Sequence, residues 1–178
     1  MNTADAQRDL RRAYVGGGPG AIVSALVWFA AAFVEARHGI GPAFNVLFLG
    51  GILIYPVGTL LCRFLFRRDK EAAGNPLGMT ALECTIAMIG CLLAAWLFIP
   101  VMPAHVFPVA AIAVGTHYLV FKTVYGDPLY LILAAAITAV GLVSIFKTVT
   151  IPGGPILAVG LIELTFGSIL TRRAMRTD

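Results

Sequence analysis

Charged residues are scarce in this chain. Only 12% of its 178 residues are Asp, Glu, Lys or Arg, about half the share that a soluble domain usually carries. Apolar residues make up 59% of the chain, and they form blocks that are longer than a soluble core requires. Such a chain is too apolar to stay unfolded in water, which excludes intrinsic disorder. The composition predicts an integral membrane protein whose partner is the lipid bilayer.

The chain also lacks a basic face and two common metal-binding spacings. Its formal net charge is +4, but the basic residues stand at the ends of apolar blocks, so we expect no nucleic-acid partner. Neither CxxC nor HxxxH occurs among the three cysteines and three histidines. We therefore expect no metal and no cofactor.

Six apolar stretches approach the length of about 20 residues that a helix needs to cross a hydrocarbon core about 30 Å thick. None of them alternates between apolar and polar residues as the strands of a membrane barrel do. The sequence therefore predicts an all-α membrane protein, a compact bundle of transmembrane helices. The six spans are expected at about residues 18–34, 43–62, 79–99, 105–125, 128–146 and 155–171.

The division of the chain and its orientation follow from the positions of the basic residues. We divide the chain into an amphipathic N-terminal segment (1–17), the bundle (18–171) and a basic tail (172–178). Of the 13 Lys and Arg residues, all except Arg37 and Lys147 fall on the side of the bundle that holds both termini. Because basic loops stay in the cytoplasm, we predict that both termini are cytoplasmic and that the chain is a multi-pass protein of the inner membrane.

A short pattern recurs in the second, fourth and sixth spans. Val-Gly is followed by Phe seven positions after the Val, beginning at Val57, Val114 and Val159. Three helical hairpins related by a rough threefold axis would produce this recurrence, and internal repeats are common in transporters. Chance is the alternative, because Val-Gly also occurs at Val140 in the fifth span.

Two ionisable residues fall deep inside the predicted spans. Burial of such residues is costly there, so each is expected either to pair with another group or to have a function. At a rise of about 1.5 Å per residue, Glu163 lies about 13 Å and His117 about 15 Å inside the boundary on the side of the termini. Both helices run in the same direction, so we expect the carboxyl and the imidazole to pair near mid-membrane. A shared proton would suit a proton relay, and a hydrogen-bonded lock between two helices is the structural alternative.

Two further groups of polar residues are candidates. Glu83 and Lys122 lie at similar depth on the third and fourth spans, where a short loop makes the helices neighbours. We interpret them as a structural pair, with binding or proton relay as the alternative. On the opposite side, Glu35, His38 and His105 are expected to cluster. They would form either a polar outer mouth or an interfacial charge network.

Three segments read together resemble a known family. They are Gly-Gly-Ile-Leu-Ile-Tyr-Pro-Val-Gly at 50–58, Asn-Pro-Leu-Gly at 75–78, and Gly-Thr-His-Tyr-Leu-Val-Phe at 115–121, which leads to Tyr125. They are similar to the recurring blocks of a family of small bacterial integral membrane proteins of unknown function. The resemblance spans about residues 20–170 and implies no activity.

This resemblance draws attention to His117, Tyr118 and Tyr125, and its first segment contains Tyr55. On one helix, Tyr118 and Tyr125 share a face at a spacing of seven residues, whereas His117 points about 100° away from Tyr118. Tyr55 and Tyr118 therefore join Glu163 and His117 as candidates for binding or proton relay.

Three functions are compatible with these residues, and no catalytic set is recognisable among them. The first is a small transporter or channel subunit that acts as a homo-oligomer, with a proton-titratable Glu163–His117 pair and an unidentified ion or small molecule as substrate. The second is a structural or regulatory membrane partner without turnover. The third is an intramembrane enzyme that acts on a lipid or a quinone with His117 as its base.

Overall fold

The computed structural model describes residues 1–147 and 150–177, so residue 178 of the predicted tail and residues 148–149 of the predicted bundle lie outside it. Within the described residues the chain is helical and contains no strand. The helices are α1 (Thr3–Tyr14), α2 (Gly18–His38), α3 (Ile40–Leu60), α4 (Pro76–Trp96), α5 (Val106–Tyr125), α6 (Leu129–Phe146) and α7 (Gly154–Thr177).

Six of these helices, α2 to α7, are long and apolar enough to cross a membrane. The chain is therefore a multi-pass membrane protein, as its composition predicted. The helix ends differ from the predicted spans because capping residues set them, and capping does not depend on apolarity. Asn75 accepts a hydrogen bond from the Leu77 backbone N–H and begins α4 ahead of the expected residue 79, with Pro76 in the first turn. Gly39, at φ +83°, separates α2 from α3.

Successive spans are antiparallel, so both termini lie at one end of the bundle together with loop 66–75 and loop 126–128. We call this end the basic end. The most extensive contacts pair α5 with α6 and α2 with α7, and these four helices form the centre. α3 packs on α2 and α4 packs on α5, and both flanking helices keep most of their side chains at least partly exposed. Away from the basic end, Phe48 of α3 meets Trp96 of α4, with ring centroids 4.9 Å apart.

The two central helix pairs approach closely because glycines stand at their crossings. A Cβ on Gly18 would lie 2.2 Å from Thr171 Oγ1, in the contact between α2 and α7. A Cβ on Gly115 would lie 2.4 Å from Thr138 Oγ1, in the contact between α5 and α6. Larger residues at these two positions would force the central helices apart.

The glycines of the recurring Val-Gly pattern all stand where another helix approaches. Gly58 packs against Gly20 of α2, Gly115 packs against α6, and a Cβ on Gly160 would lie 2.7 Å from the ring of Phe29 in α2. The pattern therefore marks sites of close packing. The three hairpin repeats stay a prediction.

Helix α1 docks beneath the bundle at the basic end. Its apolar face is buried, with Ala6, Leu10 and Ala13 at most 2% exposed. The Gln7 side chain donates a hydrogen bond to the Thr123 carbonyl at 2.7 Å. The amphipathic character of residues 1–17 thus serves contacts within the chain, because the long helices provide an apolar surface at the basic end.

Loop 66–75 closes over α1 through a buried polar residue. The Asn75 amide donates to the Ala6 carbonyl at 3.1 Å and to Asp9 Oδ2 at 3.0 Å. Asp9 Oδ2 also accepts from the Ala72 backbone N–H at 2.7 Å. Asn75 is only 6% exposed, and its bond to the Ala6 carbonyl is buried. One side chain therefore caps α4 and fixes α1.

Replacing Asn75 by Ala is expected to destabilise the protein by about 1–3 kcal/mol, because it removes a helix cap and leaves buried polar groups unpaired. Thermal unfolding in detergent measures the loss, and hydrogen exchange should rise in α1. Asn45→Ala is the control, since Asn45 is exposed on α3. Equal unfolding temperatures for the two variants would contradict the role given to Asn75.

Candidate functional site

Glu163 lies at the centre of the bundle and is fully buried, with 0% of its surface exposed. It stands about 13 Å along α7 from Gly154, at a rise of about 1.5 Å per residue, which is near the middle of the span. The Tyr118 hydroxyl of α5 donates a hydrogen bond to Glu163 Oε1 at 2.9 Å. Ser24 of α2 is close enough to interact with both groups. Three helices therefore each contribute one polar side chain.

The second carboxyl oxygen, Glu163 Oε2, is buried and has no hydrogen-bond partner among the residues that the structure describes. The polar groups that interact with Glu163 are Tyr118 and Ser24, and neither carries a positive charge. An ionisable side chain at this depth in a membrane-spanning bundle is costly and typically marks an ion or proton pathway. Glu163 is therefore the candidate proton-binding group of the site.

The expected pair of Glu163 with His117 is wrong. Tyr118 reaches the carboxyl instead, and His117 points about one hundred degrees around the helix toward α4. There its Nδ1 lies 3.0 Å from Cys84 Sγ, and its ring packs on Phe121 with centroids 4.7 Å apart. The depth of His117 was predicted well, but the rotation of α5 about its axis decides which neighbouring residue faces the core.

The predicted Glu83–Lys122 pair does not form either. Both side chains are exposed, and none of the ion pairs within the described ranges joins them. The long Lys side chain can reach an interface without a partner. Their similar depth therefore did not imply contact.

The predicted outer mouth is dispersed. Glu35 and His38 are exposed at the end of α2, while His105 Nδ1 is buried and has no hydrogen-bond partner within residues 1–147 and 150–177. No hydrogen bond or ion pair connects the three across the part of the chain that the structure describes. The Arg37 guanidinium packs over the Phe33 ring, 4.1 Å from its centroid, so this charged group contacts its own helix.

Tyr55 lies on the exposed side of α3, away from Glu163. Its hydroxyl is 3.3 Å from that of Tyr14, and Tyr14 also interacts with the Glu71 carboxyl of loop 66–75. Tyr55 therefore belongs to the contact between α3 and the basic end. The structure places it in a different polar cluster from Glu163.

A column of tyrosine rings extends from the Glu163 site toward the basic end. Tyr118 stacks on Tyr130 of α6 with centroids 6.1 Å apart, and Tyr130 stacks on Tyr125 at 5.5 Å. Phe121 lies beside all three rings. The Tyr130 hydroxyl donates to the Gly16 carbonyl at 2.6 Å. We call Tyr118, Tyr130 and Tyr125 the tyrosine column.

The turn between α1 and α2 fits around this column because it contains glycine. Gly17 has φ +76°, a left-handed conformation that side chains rarely adopt. A Cβ on Gly17 would lie 2.3 Å from the Tyr130 hydroxyl and 2.7 Å from the Tyr125 ring. Gly17 is thus required both for the turn and for the approach of the two rings.

Sequence reasoning missed three residues of these clusters: Ser24, Cys84 and Tyr130. Ser24 had a detectable signal, because it is the one hydroxyl residue in the apolar run 18–34. Tyr130 looked like an ordinary interfacial aromatic near the end of a span. Cys84 gave no signal, since a single thiol in an apolar helix is typically a packing residue.

Comparison with known proteins identifies a family. A model of a family of unknown function (DUF7010) matches residues 3–173, which include Glu163, the tyrosine column and Ser24. No curated protein and no solved structure matches the chain. The resemblance to an uncharacterised family is confirmed to that extent.

Gly17→Ala is expected to cost about 1–2 kcal/mol for the left-handed backbone alone, and more because its Cβ would collide with two tyrosines. The unfolding temperature in detergent should fall accordingly. In the control, Gly51→Ala, the new Cβ meets nothing within 4 Å, so this helix position should gain up to about 1 kcal/mol. A Gly17→Ala variant as stable as the natural protein would contradict the packing described for the turn.

Proposed function

The chain belongs to DUF7010, a family of unknown function, and from this premise we propose that it is a proton-coupled transporter or channel subunit. Glu163 is its protonation centre, with Tyr118 as hydrogen-bond donor and Ser24 as the second polar neighbour. This replaces the predicted Glu163–His117 relay, since the imidazole is engaged with Cys84. The substrate is an ion or small molecule whose movement is coupled to the proton.

The observation that carries the proposal is a fully buried carboxyl with one open oxygen in the middle of a membrane-spanning bundle. An ionisable group at that depth is costly, and such groups typically mark ion or proton pathways. A hydrogen-bonded lock alone would be served by an amide, which satisfies its partners without a titratable proton. Glu163 therefore supports a function that uses protonation.

The proposal includes the setting of the protein. The chain lies in the inner membrane of a bacterium with both termini in the cytoplasm, because the basic residues gather at the basic end. Its subunits form a homo-oligomer, since the six short helices enclose little space of their own. The exposed faces of α3 and α4 leave room for such contacts.

A second candidate is a structural or regulatory membrane partner without turnover. The tight crossings at Gly18 and Gly115 favour it, because they seal the core around Glu163. In that case the Tyr118–Glu163 bond would serve packing, and loss of the titratable proton would change stability alone.

Glu163→Gln is expected to abolish proton flux while preserving the shape of the side chain. The test uses proteoliposomes that contain a pH-sensitive dye, with a potassium diffusion potential as the driving force. Asp69→Asn is the control, because it removes an exposed loop carboxylate outside the site. Flux that is equal in Glu163→Gln and the natural protein, together with a lower unfolding temperature, would replace the transport proposal with the structural one.

The orientation is tested separately. A fluorescent domain that matures only in the cytoplasm is expected to be bright when fused after the C-terminus, and a phosphatase active only outside the cytoplasm should be inactive there. The charge asymmetry is the physical reason. An active phosphatase at the C-terminus would contradict the proposed topology.

A further inference from the structure

A cavity of about 230 Å³ opens at the basic end, beside the start of the tyrosine column. Its wall includes Arg11, Gly16, Tyr125, Asp127 and Arg173. Asp127 Oδ2 lies 3.6 Å from Arg173 Nε, and Asp127 Oδ1 accepts from the Leu129 backbone N–H at 2.9 Å. The cavity therefore has charged groups beside apolar ones in its wall, and it is large enough for several water molecules.

The cavity meets the tyrosine column at two points. Tyr125 forms part of the wall, and so does Gly16, whose carbonyl accepts the Tyr130 hydroxyl at 2.6 Å. Asp127 is near enough to Tyr130 to interact with it electrostatically. A carboxylate at the opening thus lies next to the middle ring of the column.

From Tyr130 the column leads directly to the protonation centre. Tyr130 stacks on Tyr118 and interacts with it electrostatically, and the Tyr118 hydroxyl contacts Glu163 Oε1 at 2.9 Å. The rings are buried, with Tyr130 1% and Tyr118 8% exposed. Tyr130 and Tyr118 are consequently buried polar side chains that lie between the cavity and Glu163.

We propose that Asp127 and the tyrosine column form the proton route between Glu163 and water at the basic end. This inference rests on the proposed function, in which Glu163 binds the proton, and it adds the path and the side of entry. Asp127 is the collecting carboxylate, and Tyr130 and Tyr118 are the relay groups. Tyr125 lines the opening and supports Tyr130 by stacking.

The relay conserves atoms and charge. In the protonated state the carboxyl turns its O–H to the Tyr118 oxygen, and the Tyr118 hydroxyl turns toward Tyr130. When Glu163 releases this proton, the Tyr118 oxygen accepts it as the Tyr118 hydroxyl proton passes to Tyr130. Tyr130 repeats the exchange, and its proton reaches Asp127 or cavity water. Each phenol ends with one proton, Glu163 becomes a carboxylate, and no redox partner is required. A phenol can take part because its hydroxyl both donates and accepts.

The groups that face Glu163 determine its response to pH. Tyr118 from α5 and Ser24 from α2 face it directly, and Tyr130 from α6 faces Tyr118. At the far end of the route, Tyr130 faces Tyr125 and Asp127. The charged groups of the route thus lie at its two ends, and its middle consists of neutral hydroxyls.

Time-resolved infrared spectroscopy of the full-length protein in lipid nanodiscs tests the route without a known substrate. A pH jump is followed at the C=O stretch of a protonated carboxyl, and Glu163→Gln identifies the Glu163 band by its loss. Tyr130→Phe keeps the ring and removes the hydroxyl, so we expect the Glu163 band to appear at least about tenfold more slowly. Asp127→Asn, which keeps the acceptor for the Leu129 N–H, should also slow it.

Tyr14→Phe is the matched control, because it makes the same change at the basic end outside the column, and its rate should equal that of the natural protein. Rates in Tyr130→Phe and Asp127→Asn that both equal the natural rate would overturn the route while leaving the protonation of Glu163 intact. Absence of any band that Glu163→Gln removes would overturn the proposed function itself. Unfolding temperatures of the variants separate slow relay from misfolding.

Discussion

Removing the Glu163 carboxyl from water is the constraint on which the rest of the structure depends. A buried carboxyl costs several kcal/mol, about the scale of a whole domain's net stability, unless it is neutral and hydrogen-bonded. The Tyr118 hydroxyl meets that requirement on one oxygen. This contact demands that α5 and α7 meet α2 at one level, and the glycines at the helix crossings make the approach possible.

At the basic end, a layer of polar contacts likewise pairs polar groups that are shielded from water. α1, loop 66–75 and loop 126–128 cover the ends of the long helices, and Asn75 joins two of these three segments through buried hydrogen bonds. The tyrosine column lies between this layer and the core. Its rings fill space as apolar residues do, and their hydroxyls add polar groups where aliphatic side chains would add none.

Depth in the membrane was predictable for individual residues, and contact between them was not. Glu163 lies near the middle of its span as residue counting predicts, and His117 lies at nearly the same level. Neighbouring residues on a helix point about 100° apart, so a modest rotation of α5 exchanges His117 for Tyr118. The face of α5 that contains Gly115 packs closely against Thr138 of α6, and this contact joins residues that no sequence pattern connects.

The amino-acid sequence by itself determined the all-helical membrane class, the number of spans and the asymmetry of basic residues, because hydrocarbon imposes length and apolarity on each helix separately. Only the tertiary structure decided which groups meet: Tyr118 with Glu163, Cys84 with His117, and α1 with the helix ends. These contacts depend on helix rotation and on close approach at glycines, which are collective properties of the packed bundle.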